Sequence, residues 1–306
     1  MKKVILALAV FAATLCGCSK DIPTNDPHTG PASEYPILFG YSDTRATADL
    51  STLQAEGFRV YAYFTGFPVD TQGRYSTFVK DVTYKSAQNV WAYEGLEYWI
   101  PGVSYWFTAF YPANLSGLEI NNTTENQSYT ISGFDITEQV DVMVAKKNTS
   151  VAAGATAPTE GSTVRLNFQH LLACVVIELK SDIDDVMVER VTLQEVSDRE
   201  TCNSGSWSSS SNQTASLYYE EDTALTEELK DITGGGFLVI PEQRDITLII
   251  ETTQKDYEVE LSIHWLPGKK YTATPGASAN TISFCLISAV YVYFFPGSQC
   301  IESSTS

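Results

Sequence analysis

Positive charge is scarce in this chain: 19 Lys and Arg stand against 37 Asp and Glu, a formal net charge of −18. So acidic a surface repels phosphate backbones, which argues against a nucleic-acid partner. It also keeps an exposed protein soluble. Histidine is rarer still, with 3. His28, His170 and His264 make no HExxH spacing, and no GxSxG turn is present to raise a serine nucleophile. His170, beside Leu171 and Leu172, and His264, inside an alternating segment, read as structural residues. The 6 cysteines include no CxxC pair and no metal-finger spacing. Cys174 lies in an apolar run and reads as a small core side chain. A Cys174–Cys202 disulfide is permitted in an oxidising compartment, but no pattern calls for it. Ser181–Asp185 gathers carboxylates without the glycine and distal Glu of a calcium loop, so it reads as a solvated turn. Gly234–Gly236 leads into a strand pattern, not a helix, and so is no phosphate cradle. Nothing points to paired carboxylates for glycoside hydrolysis. No catalytic residue, metal site or cofactor is expected.

Long apolar runs are also missing. Val4–Leu15 is the chief one near the start, too short to span a bilayer, and it follows the basic Met1-Lys2-Lys3. This is the layout of a secretory signal over residues 1–17. Leu15 at −3 and Gly17 at −1 before Cys18 resemble the bacterial lipobox, with cleavage between Gly17 and Cys18 and lipid on Cys18. Cys16 fits worse, because Leu15 would occupy its −1 position. Each buried methylene of an acyl chain contributes about 0.8 kcal/mol, so two or three chains hold a protein durably on a bilayer. Loss of Lys2 and Lys3 with the signal makes the mature chain more acidic. Residues 18–36 are rich in Pro, Asp, Asn, Gly and Thr and read as an extended tether.

What is present in abundance is strand pattern. Phe58–Phe64 alternates, with Phe58, Val60 and Ala62 on one face and Arg59, Tyr61 and Tyr63 on the other. Tyr105–Pro112, Val140–Ala145, Thr163–Phe168, Ala173–Leu179, Val188–Val196, Gly236–Pro241, Asp245–Thr252 and Asp256–Trp265 read alike. Turn residues punctuate them, no long segment has a 3.6-residue period, and Leu225–Ile232 holds at most two helical turns. The expectation is an all-β chain of antiparallel sandwiches. With 306 residues, 43% of them apolar, two domains are expected, at 37–155 and 156–306. The small and polar stretch Lys146–Thr163 reads as a linker or long crossover between them, and Asn203–Thr214 as a surface loop. Tyr61, Tyr63, Trp91, Tyr93, Tyr98, Trp99, Tyr105 and Trp106 read mostly as core; exposed, they would suit stacking on a glycan.

Several stretches in order resemble the fimbrillin family of Bacteroidetes. After the lipobox come SDTRAT (Ser42–Thr47), GFRVYAYF (Gly57–Phe64) and YWIPGVSYWFTAFYP (Tyr98–Pro112). DVMVA (Asp141–Ala145), VRLNFQHLLACVVIEL (Val164–Leu179), FLVIPEQ (Phe237–Gln243) and WLPGKKYT (Trp265–Thr272) follow. Beyond Tyr271 the chain departs from the pattern. Thr272–Asn280 interrupts it, and Thr281–Phe295 is left open as a closing strand, a strand given to a neighbour or an aberrant end.

The resemblance implies two transthyretin-like β-sandwich domains in a lipid-anchored protein of the outer membrane and cell surface, concerned with assembly and adhesion. It implies other fimbrial subunits as partners, and a surface glycan or protein as ligand. It further implies a protease that cuts after arginine, releasing the anchor and first strand so that another subunit's strand fills the groove. Arg45, with Ala46 after it, is the matching position. Tyr35–Gly40, in the piece that would leave, is apolar enough to be a buried strand. The alternatives are a permanently anchored member of the family and a monomeric glycan-binding lipoprotein.

Overall fold

Period-two patterning has the expected consequence at Phe58–Thr65. Phe58, Val60, Ala62 and Phe64 are buried toward one core, and Arg59 and Tyr61 lie on the opposite face. Tyr63 is buried on that second face, its ring 5.3 Å from Trp106. The structure, a computed structural model, describes residues 35–41, 47–65, 76–123, 126–181, 184–208, 213–278 and 281–290.

Phe58–Thr65 is interior to a six-stranded antiparallel sheet. Its order is Gln169–His170, Met143–Ser150, Ser104–Tyr111, Phe58–Thr65, Ser76–Lys85, Val90–Ala92. The inner face of this sheet shares a core with a far smaller sheet, in which Leu38–Tyr41 pairs in parallel with Thr163–Leu166. A second core is enclosed by three further sheets. One centres on Ala173–Leu179, flanked by Phe237–Val239 and Lys230–Asp231 and by Lys270–Ser278, which pairs in turn with Thr281–Val290. The next runs Thr214–Tyr219, Met187–Ser197, Gln243–Thr252, Tyr257–His264, and the last Ser206–Trp207, Arg199–Asn203, Gln127–Asp135, Leu118–Asn122. The protein is all-β, and its described strand pairs are antiparallel apart from Leu38–Tyr41 with Thr163–Leu166 and Ala173–Leu179 with Lys270–Ser278.

Core membership does not follow chain order. Val164 and Leu166 belong to the first core, whereas Phe110, Tyr129, Ile131, Phe134 and Ile136 belong to the second. Lys146–Ser150 completes a strand, and residues 151–162 cross from it to Thr163 with Val151 buried in the first core, so the polar stretch packs on that core. Gln139 reaches a strand edge far along the chain: its Oε1 accepts from Leu238 N at 2.9 Å, and its Nε2 donates to Leu238 O at 3.0 Å. The side chain thus stands in for a neighbouring strand at that edge.

Four readings of the sequence are corrected. A helix, Thr47–Glu56, has no counterpart in the pattern. Leu53 alone among its residues 50–56 is buried, so no apolar stripe marks it. Tertiary contacts hold it instead: Leu53 in the first core and Tyr111 Oη donating to Glu56 Oε2 at 2.9 Å. Conversely, Leu225–Ile232 is not helical; two-residue strands Thr223–Ala224 and Lys230–Asp231 bracket bends there. Within Thr272–Asn280, the described part, Thr272–Ser278, does not break the strand pattern, since Lys270–Ser278 is one continuous strand and Thr281–Val290 closes on it from the edge. Part of the expected Asn203–Thr214 loop is a hairpin, turned by Ser204 and Gly205 at positive φ between Arg199–Asn203 and Ser206–Trp207.

One local motif occurs twice. Trp99-Ile100-Pro101-Gly102 leads to Tyr105, and Trp265-Leu266-Pro267-Gly268 leads to Tyr271. In each the tyrosine ring meets the tryptophan edge-on, with centroids 4.9 Å apart at 84°. In each the tyrosine hydroxyl accepts the N–H of the residue after the tryptophan at 2.9 Å. Both glycines have positive φ, as the corner requires. Both tryptophans are buried.

Candidate assembly site: the seat of the first strand

The first strand is short and its side chains alternate. Ile37 and Phe39 are buried at 0% and 4% exposure, while Leu38 between them is 38% exposed. Its backbone is held on two sides. On one, Leu38–Tyr41 runs parallel to Thr163–Leu166, with Leu38 N donating to Ser162 O at 3.2 Å. On the other, Ile37 N donates to Glu97 O at 2.8 Å and Trp99 N to Tyr35 O at 3.2 Å, around the Pro36–Tyr98 bridge. Pro36 has no N–H, and at this bridge the ladder asks for none from it.

Aromatic side chains line the seat. The Phe39 ring lies 5.4 Å from Tyr93 and 5.9 Å from Phe107, and Tyr41 stacks on Phe168 at 6.3 Å. Trp99 spans the floor, its Nε1 donating to Ser162 O at 3.1 Å. The Tyr93 hydroxyl donates to Ile37 O at 2.6 Å. Burial pushes its pKa up to about 12, so it stays a donor through the ordinary pH range. At the rim, Lys80 pairs with Glu97 at 2.7 Å and donates to Gly95 O at 2.8 Å, fixing the segment against which Ile37 is paired. Loss of the strand would leave the backbone groups of Glu97, Trp99 and Ser162 without these partners and would bare the aromatic floor. Both are costly states that an added strand relieves.

Gly17, Cys18, Arg45, Ala46 and His28 lie outside the described residues. The described strand ends at Tyr41 and the next described element begins at Thr47. Cys174 and Cys202 are free thiols. Cys202 is buried, which pushes its pKa up to about 11, and Cys174 is likewise raised by burial; neither is a ready nucleophile. His170 Nδ1 lies 2.7 Å from Asp141 Oδ2, tying Gln169–His170 to the approach of Met143–Ser150. The backbone carbonyl of His264 accepts from Tyr271 Oη at 3.0 Å. Among the described residues, no group of three His, Cys, Asp or Glu is arranged to hold a metal ion, and no helix is long and apolar enough to cross a membrane.

The residues that make the seat were only partly visible beforehand. Tyr35–Gly40 and Thr163–Phe168 are each legible as strand-forming stretches, but their pairing is not. A parallel pairing across so much chain leaves no local signal.

The class of protein so defined is an all-β sandwich chain whose first described strand is seated in an aromatic groove. The fimbrillin-like family profile matches residues 44–284, and the chain belongs to that family. No curated protein sequence matches it. Among solved structures it is similar to a proposed cell adhesion protein from Bacteroides ovatus, at 12% identity and TM-score 0.52, covering 83% of this chain and 96% of that one. A fimbrial assembly protein from Parabacteroides distasonis matches at 12% identity and TM-score 0.44, covering 83% and 94% of the two chains. A proposed cell adhesion protein from Bacteroides uniformis matches at 16% identity and TM-score 0.43, covering 82% and 94%.

Proposed function

We propose that this protein is a pilus-related surface subunit that assembles by strand exchange. The precursor is anchored through lipid on Cys18 after cleavage behind Gly17. Cleavage between Arg45 and Ala46 then frees the piece that carries Leu38–Tyr41, and a strand of another subunit takes its seat. Membership of the fimbrillin-like family supports the pilus-related role. The observation that carries the exchange reading is the seat itself: the first described strand, with Ile37 and Phe39 buried, between the Trp99 corner and Thr163–Leu166. What remains after cleavage has its own hold on the core, through Leu53 of the Thr47–Glu56 helix.

The chain also contains a segment patterned to replace what leaves. Ile37-Leu38-Phe39-Gly40-Tyr41 is matched by Ile282-Ser283-Phe284-Cys285-Leu286: isoleucine, spacer, phenylalanine, small residue, large apolar residue. That segment lies in Thr281–Val290, whose described pairing is on one side only, with Lys270–Ser278. A second copy's Thr281–Val290 is therefore the proposed incoming strand.

Incubating the full chain with an arginine-specific protease tests the reading. The expected result is a new N-terminus at Ala46 and a ladder of higher-order species. An intact Arg45–Ala46 bond in folded protein, or a cut chain that stays monomeric, would refute it. N-terminal sequencing of protein recovered from cells reads the same point in place: acylated Cys18 marks the anchored form and Ala46 the processed one.

A further inference from the structure

The small sheet that seats the first strand has a second side. Ile37 and Phe39 point into the first core, so the alternate positions of that strand point out. Pro36 is bridged to Tyr98, which puts their side chains on one face, and Leu38 follows Pro36 at the same phase. On the other flank the parallel register sets Leu38 beside Thr163 and Gly40 beside Arg165. A Cβ on Gly40 would lie 3.1 Å from Thr163 Cγ2, so the two strands share this outer face. Leu38 and Tyr98 are each 38% exposed, and Leu96, two positions before Tyr98, is 53% exposed. Tyr35, at the start of the strand, is exposed as well. Single exposed apolar side chains need no explanation, but four gathered at one small sheet do.

The charge of this face is the reverse of the chain's. The sequence carries 37 Asp and Glu, yet the outward positions Pro36, Leu38, Gly40, Tyr98, Thr163 and Arg165 include no carboxylate. Arg165 is exposed and makes no ion pair among the described residues. At the rim Glu97 is paired with Lys80 at 2.7 Å and Glu160 with Lys147 at 2.5 Å, which leaves Glu94 on the bend before Leu96. The result is a neutral to basic apolar face on an acidic protein.

We infer that this face lies against the bilayer that holds the Cys18 lipid. The inference rests on the anchored-precursor part of the proposed function and adds the surface through which that precursor meets the membrane. The chain runs back toward Cys18 from this same face, at Tyr35, so anchor and patch share one end. Tyr35 stands 17 positions after Cys18, which allows it no more than about 60 Å from the anchor. A contact held at that range is intramolecular, so even a shallow one is populated. Leucine and tyrosine suit the boundary between acyl chains and headgroups, where tyrosine keeps its hydroxyl in the polar layer. The Arg165 guanidinium meets lipid phosphate there. Cleavage after Arg45 removes Tyr35 and Leu38 together with the anchor, so one cut ends both holds on the membrane.

The test is labelling with a water-soluble, tyrosine-directed diazonium reagent, read by mass spectrometry as the ratio of Tyr98 to Tyr218. Tyr218 is exposed on a strand of the second core and serves as the internal reference. The acylated full chain on phosphatidylcholine vesicles containing phosphatidylglycerol is compared with the Cys18→Ser chain in solution. The expected ratio is at least about five-fold lower on vesicles. It should return to the solution value in an acylated variant carrying Leu38→Glu and Leu96→Glu, which stays on the vesicles through its lipid. An unchanged ratio on vesicles would overturn the inference and leave the anchored precursor standing. A ratio that falls with protein concentration in the soluble chain would overturn it as well, and assign the face to a second copy. Absence of acyl chains on Cys18, read in the same spectra, would sink the anchored-precursor reading and this inference with it.

Discussion

Replacing Phe39 with alanine should loosen the first strand far more than it loosens the rest of the protein. Phe39 is 4% exposed, and its ring touches those of Tyr93 and Phe107. Removing a buried phenylalanine ring costs about 3 to 5 kcal/mol in a well-packed core. The lower end applies here, because one wall of the seat is a sheet of only two strands that can partly collapse. The strand pairs in a sheet of only two strands and otherwise through one isolated bridge, so it can open without global unfolding. A loss of about 3 kcal/mol in that opening equilibrium is about a hundred-fold in the open population. Amide hydrogen exchange resolved to Ile37–Tyr41 reads it directly. Those amides should exchange about a hundred-fold faster in Phe39→Ala, while amides of Leu248 and Ile250 in the second core change little. Leu38→Ala, on the exposed face, should stay within about 0.5 kcal/mol of the parent. If Phe39→Ala leaves exchange within about three-fold of the parent, or Leu38→Ala matches it, the buried ring is not what seats the strand.

Three further outcomes follow from the geometry. Gln139→Ala strands the N–H and C=O of Leu238 at a half-buried edge. It should cost about 2 to 4 kcal/mol in urea unfolding, with Gln139→Glu recovering only the part due to the acceptor. Tyr105→Phe and Tyr271→Phe each remove one hydroxyl that accepts a backbone N–H at 2.9 Å. Each should cost about 1 to 2 kcal/mol, and the double variant their sum, because the two rings lie in different cores; a large departure from additivity would contradict the independence of the corners. Asp135 is held below the usual carboxylate range by the Thr137 hydroxyl and N–H and then by Arg199. Its folded pKa lies below its unfolded one, so its contribution is complete above about pH 4 and disappears as pH falls further. Asp135→Asn should therefore lower the unfolding midpoint at neutral pH, with the gap to the parent narrowing as pH falls below about 4; a gap that does not narrow with acid would contradict the assignment.

How far the sequence reaches differs from element to element. Ala173–Leu179 is a strand with the boundaries its composition indicates, because a β-branched run between turn residues has few other ways to hide. Phe58–Phe64 shows which face is inward, since alternation and burial are the same fact seen twice. The Thr47–Glu56 helix escapes notice because one buried leucine makes no stripe. The role of Gln139 escapes because a side chain posing as a strand has no pattern at all. The candidate site divides the same way. Tyr35–Gly40 is legible as an apolar stretch, but which of Ile37, Leu38 and Phe39 face inward is not, and Thr163–Leu166 could not be matched to it, since backbone hydrogen bonds pair any two extended segments.

By itself, then, the sequence determined most of the strands, the turns that separate them and the absence of a catalytic pattern. These depend on side-chain size, chirality and spacing within a few residues. Only the tertiary structure decided which strands are neighbours, that the first strand runs parallel to Thr163–Leu166, and that the two corners lie in different cores. Those facts are set by packing between segments distant along the chain, where the gain lies in shape and burial summed over a whole core. No local stretch of sequence carries that sum.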